Sequence, residues 1–291
     1  MTHLPTAKLI NKELIFTEPT AILRAFEYGA FYLEYPSGID FTAGIKIAKN
    51  YYIDKNGGEL DHYRGFHKKN LEKSLLGYSC TGNDQDELLQ IENTLWNDYF
   101  TEDVGLLLWE MNEISRQVLY CLFFSAKVKR NDIEKIINGL GENNALQYCI
   151  FNHFRSVINQ AMGLTAHKDS GFITLLYTIE PGLESFYKDR WIPFEPREGC
   201  FTIVIGHAFE ILTKNMNVAV NASYHRVVAS ATRKSTNEDR YTFGTYIGPI
   251  WNQYLYTYNL QGKLIPTEPF IEFQKRKAEE MEYEFHPKVS N

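Results

Sequence analysis

The sequence predicts an α+β protein: a barrel or double-sheet jelly-roll core of short strands, with helices packed against its outside. Three observations carry this. The first half reads mainly as helix, short β-rich segments split by Gly, Pro and Asn turns take over from about residue 147, and the final stretch returns to helical periodicity. No internal repeat or low-complexity linker divides the 291 residues. One domain is therefore expected, 1–291, with 1–146 mainly helical, 147–250 the strand-built core and 251–291 a C-terminal helical segment.

Taken in order, "EPTAILRAFEYGAFYLEY" places Ala21, Ile22, Ala25 and Phe26 at helical spacing before Gly29 stops the run, and "AFYLEY" then reads as a short strand. "DELLQIENTLWNDYF" predicts a second helical stretch. "VGLLLWEMNEISRQVLYCLFFSAKV" predicts a third, apolar enough to be packed on several sides, while Glu110, Glu113 and Arg116 exclude a membrane span. The segments "QYCIFNHF", "FITLLYTI", "ESFY", "WIPF", "FTIVIG", "SYHRVVAS" and "RYTFGTYIG" read as strands, and "EPFIEFQKRKAEEMEYEF" as a helix with a solvated charged face.

Composition narrows the function classes. A formal net charge of -6 with scattered basic residues lacks the footprint of a nucleic-acid binder. No apolar run is long enough to span a bilayer, and "MTHLPTAKLINKELIF" lacks the features of a signal peptide, so a cytoplasmic protein without membrane partners is expected. Cys80, Cys121, Cys149 and Cys200 stand far apart with no CxxC, which suggests reduced, mostly buried thiols. The 19 Tyr and 19 Phe suit a strand-rich core or a ring-lined pocket equally well.

The chemistry starts at "TAHKDSGFITLLY". On an extended chain His167 and Asp169 point to one face, and His225 in "SYHRVVAS" begins another β-branched strand. Two imidazoles and one carboxylate form a facial metal site with open positions, the ligand set of non-heme Fe(II) oxygenases. The plain alternative is a polar cluster satisfied by neighbouring turns. Arg240 and Thr242 share a face of the strand expected to pair with that of His225 as a hairpin, and a buried guanidinium beside a hydroxyl calls for a carboxylate.

Read together, "HKDSGFITLLY", "GLESFYKDRWIPF", "GHAFEILTKN", "SYHRVV" and "RYTFGTYIGP", with "AFEYGAFYLEYPSGI" and "HYRGF" upstream, resemble the Fe(II)- and 2-oxoglutarate-dependent dioxygenases, in particular the isopenicillin N synthase-like branch. The resemblance covers nearly the whole chain and implies a double-stranded β-helix (jelly-roll) core. It implies that His167, Asp169 and His225 ligate iron and are the catalytic centre. It further implies that Arg240 and Thr242, matching an Arg-x-Ser pair, hold the distal carboxylate of 2-oxoglutarate, and that Asn152 of "IFNHF" lies near that co-substrate. Three departures stand out: Phe154 replaces a Tyr of the Asn152 strand, Gly206-His207 replaces Gly-Asp, and Thr242 replaces Ser while keeping the hydroxyl. A rival Arg-x-Ser, Arg233 and Ser235, falls in the turn-like "ATRKSTNED", so Arg240 is preferred and Arg233 read as exposed.

The resemblance implies an enzyme that uses Fe(II), 2-oxoglutarate and O2. It would couple oxidative decarboxylation of 2-oxoglutarate, to succinate and CO2, to hydroxylation, desaturation or cyclisation of a small molecule such as an amino acid or specialised metabolite. Two alternatives stay open: an oxidase like isopenicillin N synthase that uses no 2-oxoglutarate, its Arg240 holding a substrate carboxylate, and a non-catalytic metal-binding barrel. The oligomeric state is not specified by any motif.

Overall fold

The chain begins with a hairpin, β1 (Thr6–Ile10) and β2 (Glu13–Phe16), turned by Asn11 and Lys12 at positive φ. The computed structural model describes residues 4–68, 76–80, 82–137, 145–229 and 238–281. Helix α1 (Ala21–Tyr28) buries Ala21, Ala25 and Phe26 and ends, as expected, at Gly29 in the left-handed conformation. β3 (Ala30–Glu34), α2 (Thr42–Asn50), the short β4 (Tyr78–Ser79) and β5 (Asp86–Glu92) follow. Next come α3 (Trp96–Tyr99), the long α4 (Glu102–Ser125) and α5 (Arg130–Ile137).

The strand-rich part contains β6 (Ala145–Phe154), β7 (Met162–His167), β8 (Ile173–Tyr177), β9 (Leu183–Tyr187), β10 (Arg190–Pro193) and β11 (Cys200–Ile205). Helix α6 (His207–Thr213), β12 (His225–Val228), β13 (Arg240–Ile250), the hairpin β14 (Tyr254–Tyr258) with β15 (Leu264–Pro269), and α7 (Phe270–Glu280) complete the described chain. One sheet has nine strands in the order β2-β1-β3-β11-β8-β13-β6-β5-β4, and a second has four, β10-β9-β12-β7. Among the described residues no helix is long and apolar enough to cross a membrane.

Helices α2, α4 and α5 pack on the outer face of the large sheet, over β13, β8 and β6. Leu89, Phe151 and Phe243 meet Leu107, Leu108 and Met111 there in the main apolar core. Two buried polar pairs pin α4 to the sheet: Asn112 donates to Gln147 (2.9 Å), and Ser115 bonds Thr245 (2.7 Å).

On the other face of the large sheet, cross-strand register arranges side chains in rows. One row runs Asp86, Phe154, Arg240; the next Leu88, Asn152, Thr242; then Gln90, Ile150, Gly244, Leu176; and last Glu92, Tyr148, Tyr246, Thr174. The small sheet faces these rows, with His225 paired directly across from His167.

Up to residue 146 helix outweighs strand, although β1 to β5 lie among the helices. Three expectations need correction. "DELLQIE" is β5 rather than helix: both its faces are buried, so its apolar pattern shows no single period, and pairing along β6 overrides the helix-favouring Glu, Leu and Gln. The segment after residue 250 places the β14–β15 hairpin ahead of its helix. The strands of His225 and Arg240 do not form a hairpin, since β12 pairs with β7 and β9 while β13 pairs with β6 and β8. Of the four cysteines, all free, Cys149 and Cys200 are buried and Cys80 is exposed.

At Gly244 a Cβ would stand 1.8 Å from the carbonyl oxygen of Leu175, so β13 and β8 lie together only with glycine there. Gly244→Ala is expected to cost about 1–3 kcal/mol or more, read as a lowered melting temperature. Gly105→Ala on α4, whose Cβ would meet its nearest neighbour at 3.8 Å, should be neutral or stabilising. Equal melting temperatures for the two variants would show that the strands can part at Gly244.

Candidate metal centre and its cavity

His167 is the last residue of β7, and Asp169 lies just beyond it in the bend that leads to β8. Their closeness therefore comes from that bend as much as from strand alternation. Asp84, almost fully buried, accepts from the Thr165 amide (2.7 Å) and hydroxyl (2.9 Å), and the Thr165 carbonyl accepts from His167 Nδ1 (2.8 Å). On β12, His225 Nδ1 donates to the Ser223 carbonyl at 3.1 Å. A carbonyl can only accept, so each Nδ1 carries the proton and each Nε2 is left as the lone-pair donor.

Both Nε2 atoms face Asp169 Oδ1, at 3.3 Å from His167 and 3.7 Å from His225. Asp169 Oδ2 is turned away and accepts from the Thr174 hydroxyl at 2.6 Å. The three ligand atoms lie within 4.8 Å of one another, and two imidazoles with one carboxylate suit a divalent first-row metal. Cis ligands of one such ion, bonded at about 2.1 Å, stand about 3 Å apart, so the trio fits a cation with little movement.

The electrostatics agree. Burial, then the neighbouring His167, lowers the His225 pKa to about 4, so this ring is neutral at pH 7. Burial alone would raise the Asp169 pKa, but His225, His167 and the Thr174 hydroxyl hold it well below the usual carboxylate range. Burial opposes protonation of His167 too, yet Asp169 raises its pKa above the ordinary value. The anionic Asp169 and neutral His225 are in the state a cation needs, whereas at His167 a cation competes with a proton.

Arg240 and Thr242 face the same cavity from the large sheet. Arg240 is 1% exposed, donates to Thr178 Oγ1 (3.2 Å) and lies 4.8 Å above the Phe154 ring. Thr242 donates its single hydroxyl proton to the Tyr177 carbonyl (2.7 Å), so the hydroxyl must rotate before it can donate to a carboxylate. Asn152 stands beside Thr242 in register and lines the cavity, and its carboxamide bonds no turn among the described residues.

The neighbouring candidates have other partners or lie apart. His153 points away from Asn152, with Nδ1 at the Ala48 carbonyl and Nε2 at Asp239 (2.8 Å) and Tyr52. Asp239 is therefore occupied with His153 and Ser156 rather than Arg240. His67 pairs with Asp54, and His62 is exposed. Arg233 and Ser235 lie outside the described residues. His207 opens α6, with its backbone amide donating to the Asp169 carbonyl (2.7 Å), a role any residue there fills.

Thr174, Gln274 and Lys168 were missed from sequence, whereas Tyr246 was legible there as a ring that could line a pocket. Thr174 sits at the start of a strand whose alternation could have revealed it. Tyr246 joins Ser170 (2.9 Å) and Gln274 of α7 (3.0 Å) and stacks on Tyr148 at 4.1 Å, a constellation that only the fold assembles. Lys168 grips Glu210 through both oxygens, and Glu210 also accepts from the Ala222 amide, tying the ligand bend to the segment before His225.

The cavity these groups surround measures about 200 Å³. Thr174→Val, which frees Asp169 Oδ2, is expected to weaken Mn(II) affinity 10- to 100-fold with an unchanged far-UV spectrum, measured by calorimetry. Undiminished affinity would mean that Asp169 needs no outer partner.

Comparison with known proteins follows this geometry. The family model of the 2OG-Fe(II) oxygenase superfamily matches residues 145–249. Gibberellin 3-beta-dioxygenase 4 of Arabidopsis thaliana is 31% identical over 150 residues, 48% of this chain and 41% of that relative. The chain thus spans less than half the length of such curated relatives, and 23% in the case of gibberellin 3-beta-dioxygenase 2-2 of Triticum aestivum. Among solved structures, JOX2 in complex with 2OG, Fe and JA superposes with a TM-score of 0.70 at 18% identity, covering 95% of this chain and 85% of that one. The dioxygenase for auxin oxidation of rice does so at 0.70 and 12%, covering 96% of each. At these identities the structural likeness is one of fold, a jelly-roll core with flanking helices. The family match makes residues 145–249, the strand-built core, similar to the 2OG-Fe(II) oxygenase superfamily, and the structural likeness adds the fold.

Proposed function

We propose that the chain acts as one Fe(II)- and 2-oxoglutarate-dependent oxygenase unit on a small molecule. The observation that carries this reading is the pairing of an open His-Asp-His trio with a buried Arg240 on the opposite wall of one cavity. His167, Asp169 and His225 would hold Fe(II) through Nε2, Oδ1 and Nε2, and Arg240 with Thr242 would receive the distal carboxylate of 2-oxoglutarate, with Asn152 beside it. Bound Fe(II) supplies O2 activation, coupled to oxidative decarboxylation of 2-oxoglutarate to succinate and CO2 and to hydroxylation, desaturation or cyclisation of the substrate.

The protein's own contributions are binding and orientation. Carbonyls of Thr165 and Ser223 fix the histidine tautomers, and Thr174 fixes the carboxylate rotamer. Apolar Leu164, Leu176, Leu183 and Val227 line the space between metal trio and Arg240 and keep it poor in water. A guanidinium at 1% exposure, against the Phe154 face, is a strong partner for a carboxylate because little solvent competes. Four free thiols suit a reducing, cytoplasmic setting.

The test is succinate formation from 2-oxoglutarate by the aerobic, Fe(II)-supplied protein across a panel of candidate substrates. His225→Ala should form none. Arg240→Met should raise the KM for 2-oxoglutarate at least about 30-fold, the cost of stripping one partner from a buried charge pair. A metal-binding protein that forms no succinate with any substrate would overturn the reading. Substrate oxidation without 2-oxoglutarate would favour the oxidase alternative, in which Arg240 holds a substrate carboxylate.

A further inference from the structure

The charges on the cavity wall are lopsided. Among the described residues Lys168, Lys277 and Arg240 line it against a single carboxylate, Asp169, in a chain whose formal net charge is -6. A divalent metal offsets Asp169, and dianionic 2-oxoglutarate offsets Arg240 and the metal. Each lysine already pairs with a carboxylate outside the cavity lining, Lys168 with Glu210 and Lys277 with Glu280, so an entering anion engages either one only by displacing that carboxylate.

The two lysines are not equivalent. Lys168 is held by both oxygens of Glu210, which also accepts from the Ala222 amide, so this ammonium braces the ligand bend. Lys277 pairs with Glu280 one helical turn on, a carboxylate 50% exposed while Lys277 is 17% exposed. Surface pairs of this kind hold little and exchange partners readily. Lys277 also lies on the one face of α7 that lines the cavity, with Gln274, Ala278 and Met281 at helical spacing. Gln274 uses one amide proton on the Tyr246 hydroxyl and has a second to donate.

From this we propose that the substrate is a monocarboxylic acid, held through its carboxylate by Lys277 and the Gln274 amide, with its body resting on the stacked Tyr148–Tyr246 pair. The proposal rests on the oxygenase reading and names its substrate class. One ammonium and one amide match the single charge and two acceptor oxygens of a carboxylate. The Tyr148–Tyr246 wall, which reaches Ser170 next to Asp169, sets the body of the acid beside the metal trio.

The experiment titrates monocarboxylic acids with aromatic or aliphatic bodies, each beside its methyl ester, against the full chain loaded with Mn(II) and saturating 2-oxoglutarate, without O2. Binding is read by ligand-observed NMR, where broadening by Mn(II) also reports closeness to the metal. At least one acid should bind tenfold or more tightly than its ester. Lys277→Gln should bring that ratio to within twofold, while Lys277→Arg and the outward-facing Lys275→Gln keep it. No acid outbinding its ester, or a preference that survives Lys277→Gln, would overturn the proposal. Because the readout needs no turnover, an acid preference that tracks Lys277 in a protein making no succinate would sink only the oxygenase reading. Succinate formation without any acid preference would sink only this one.

Discussion

A carboxylate taken out of water must be met by positive charge or by donors, and Asp169 is the group around which this cavity is arranged. One oxygen is turned to Thr174 and the other left facing two imidazole nitrogens. Those nitrogens can face it only because carbonyls of Thr165 and Ser223 claim the opposite side of each ring. Behind them Asp84 steadies Thr165, and Glu210 joins Lys168 to the chain before His225. The His-Asp-His trio is thus the innermost layer of a hydrogen-bonded frame that removes rotamer freedom from its side chains.

The two sheets divide the work. The small sheet carries the histidines as a direct cross-strand pair, ring centroids 4.5 Å apart. The large sheet presents graded rows, from Arg240 and Phe154 at one end through Asn152 and Thr242 to Tyr148, Tyr246 and Thr174 at the other. Depth in the cavity therefore follows position along β13, two residues per step. Helices α2, α4 and α5 pack the outer face of the same sheet, so the rows rest on a rigid backing rather than on loops. Helix α7 closes one wall: it meets the frame through Gln274 on Tyr246 and adds Lys277 to the lining.

The sequence by itself singled out the candidate residues. His167, Asp169 and His225 stood out because the residue types a metal demands are few and their spacing fits strands. Arg240 and Thr242 stood out because alternation shows which side chains share a face, and the helices α1, α4 and α7 were legible from their apolar period and from Gly29. What only the tertiary structure decided is partnership. β5 reads as helix until β6 lies along it, for a strand buried on both faces carries no alternating signal. His225 and Arg240 belong to facing sheets rather than one hairpin, since strand pairing is set by which apolar faces meet and not by nearness in sequence. Thr174, Tyr246, Gln274 and Lys277 acquire their places for the same reason: each is an ordinary residue whose role exists only once distant segments close around the cavity.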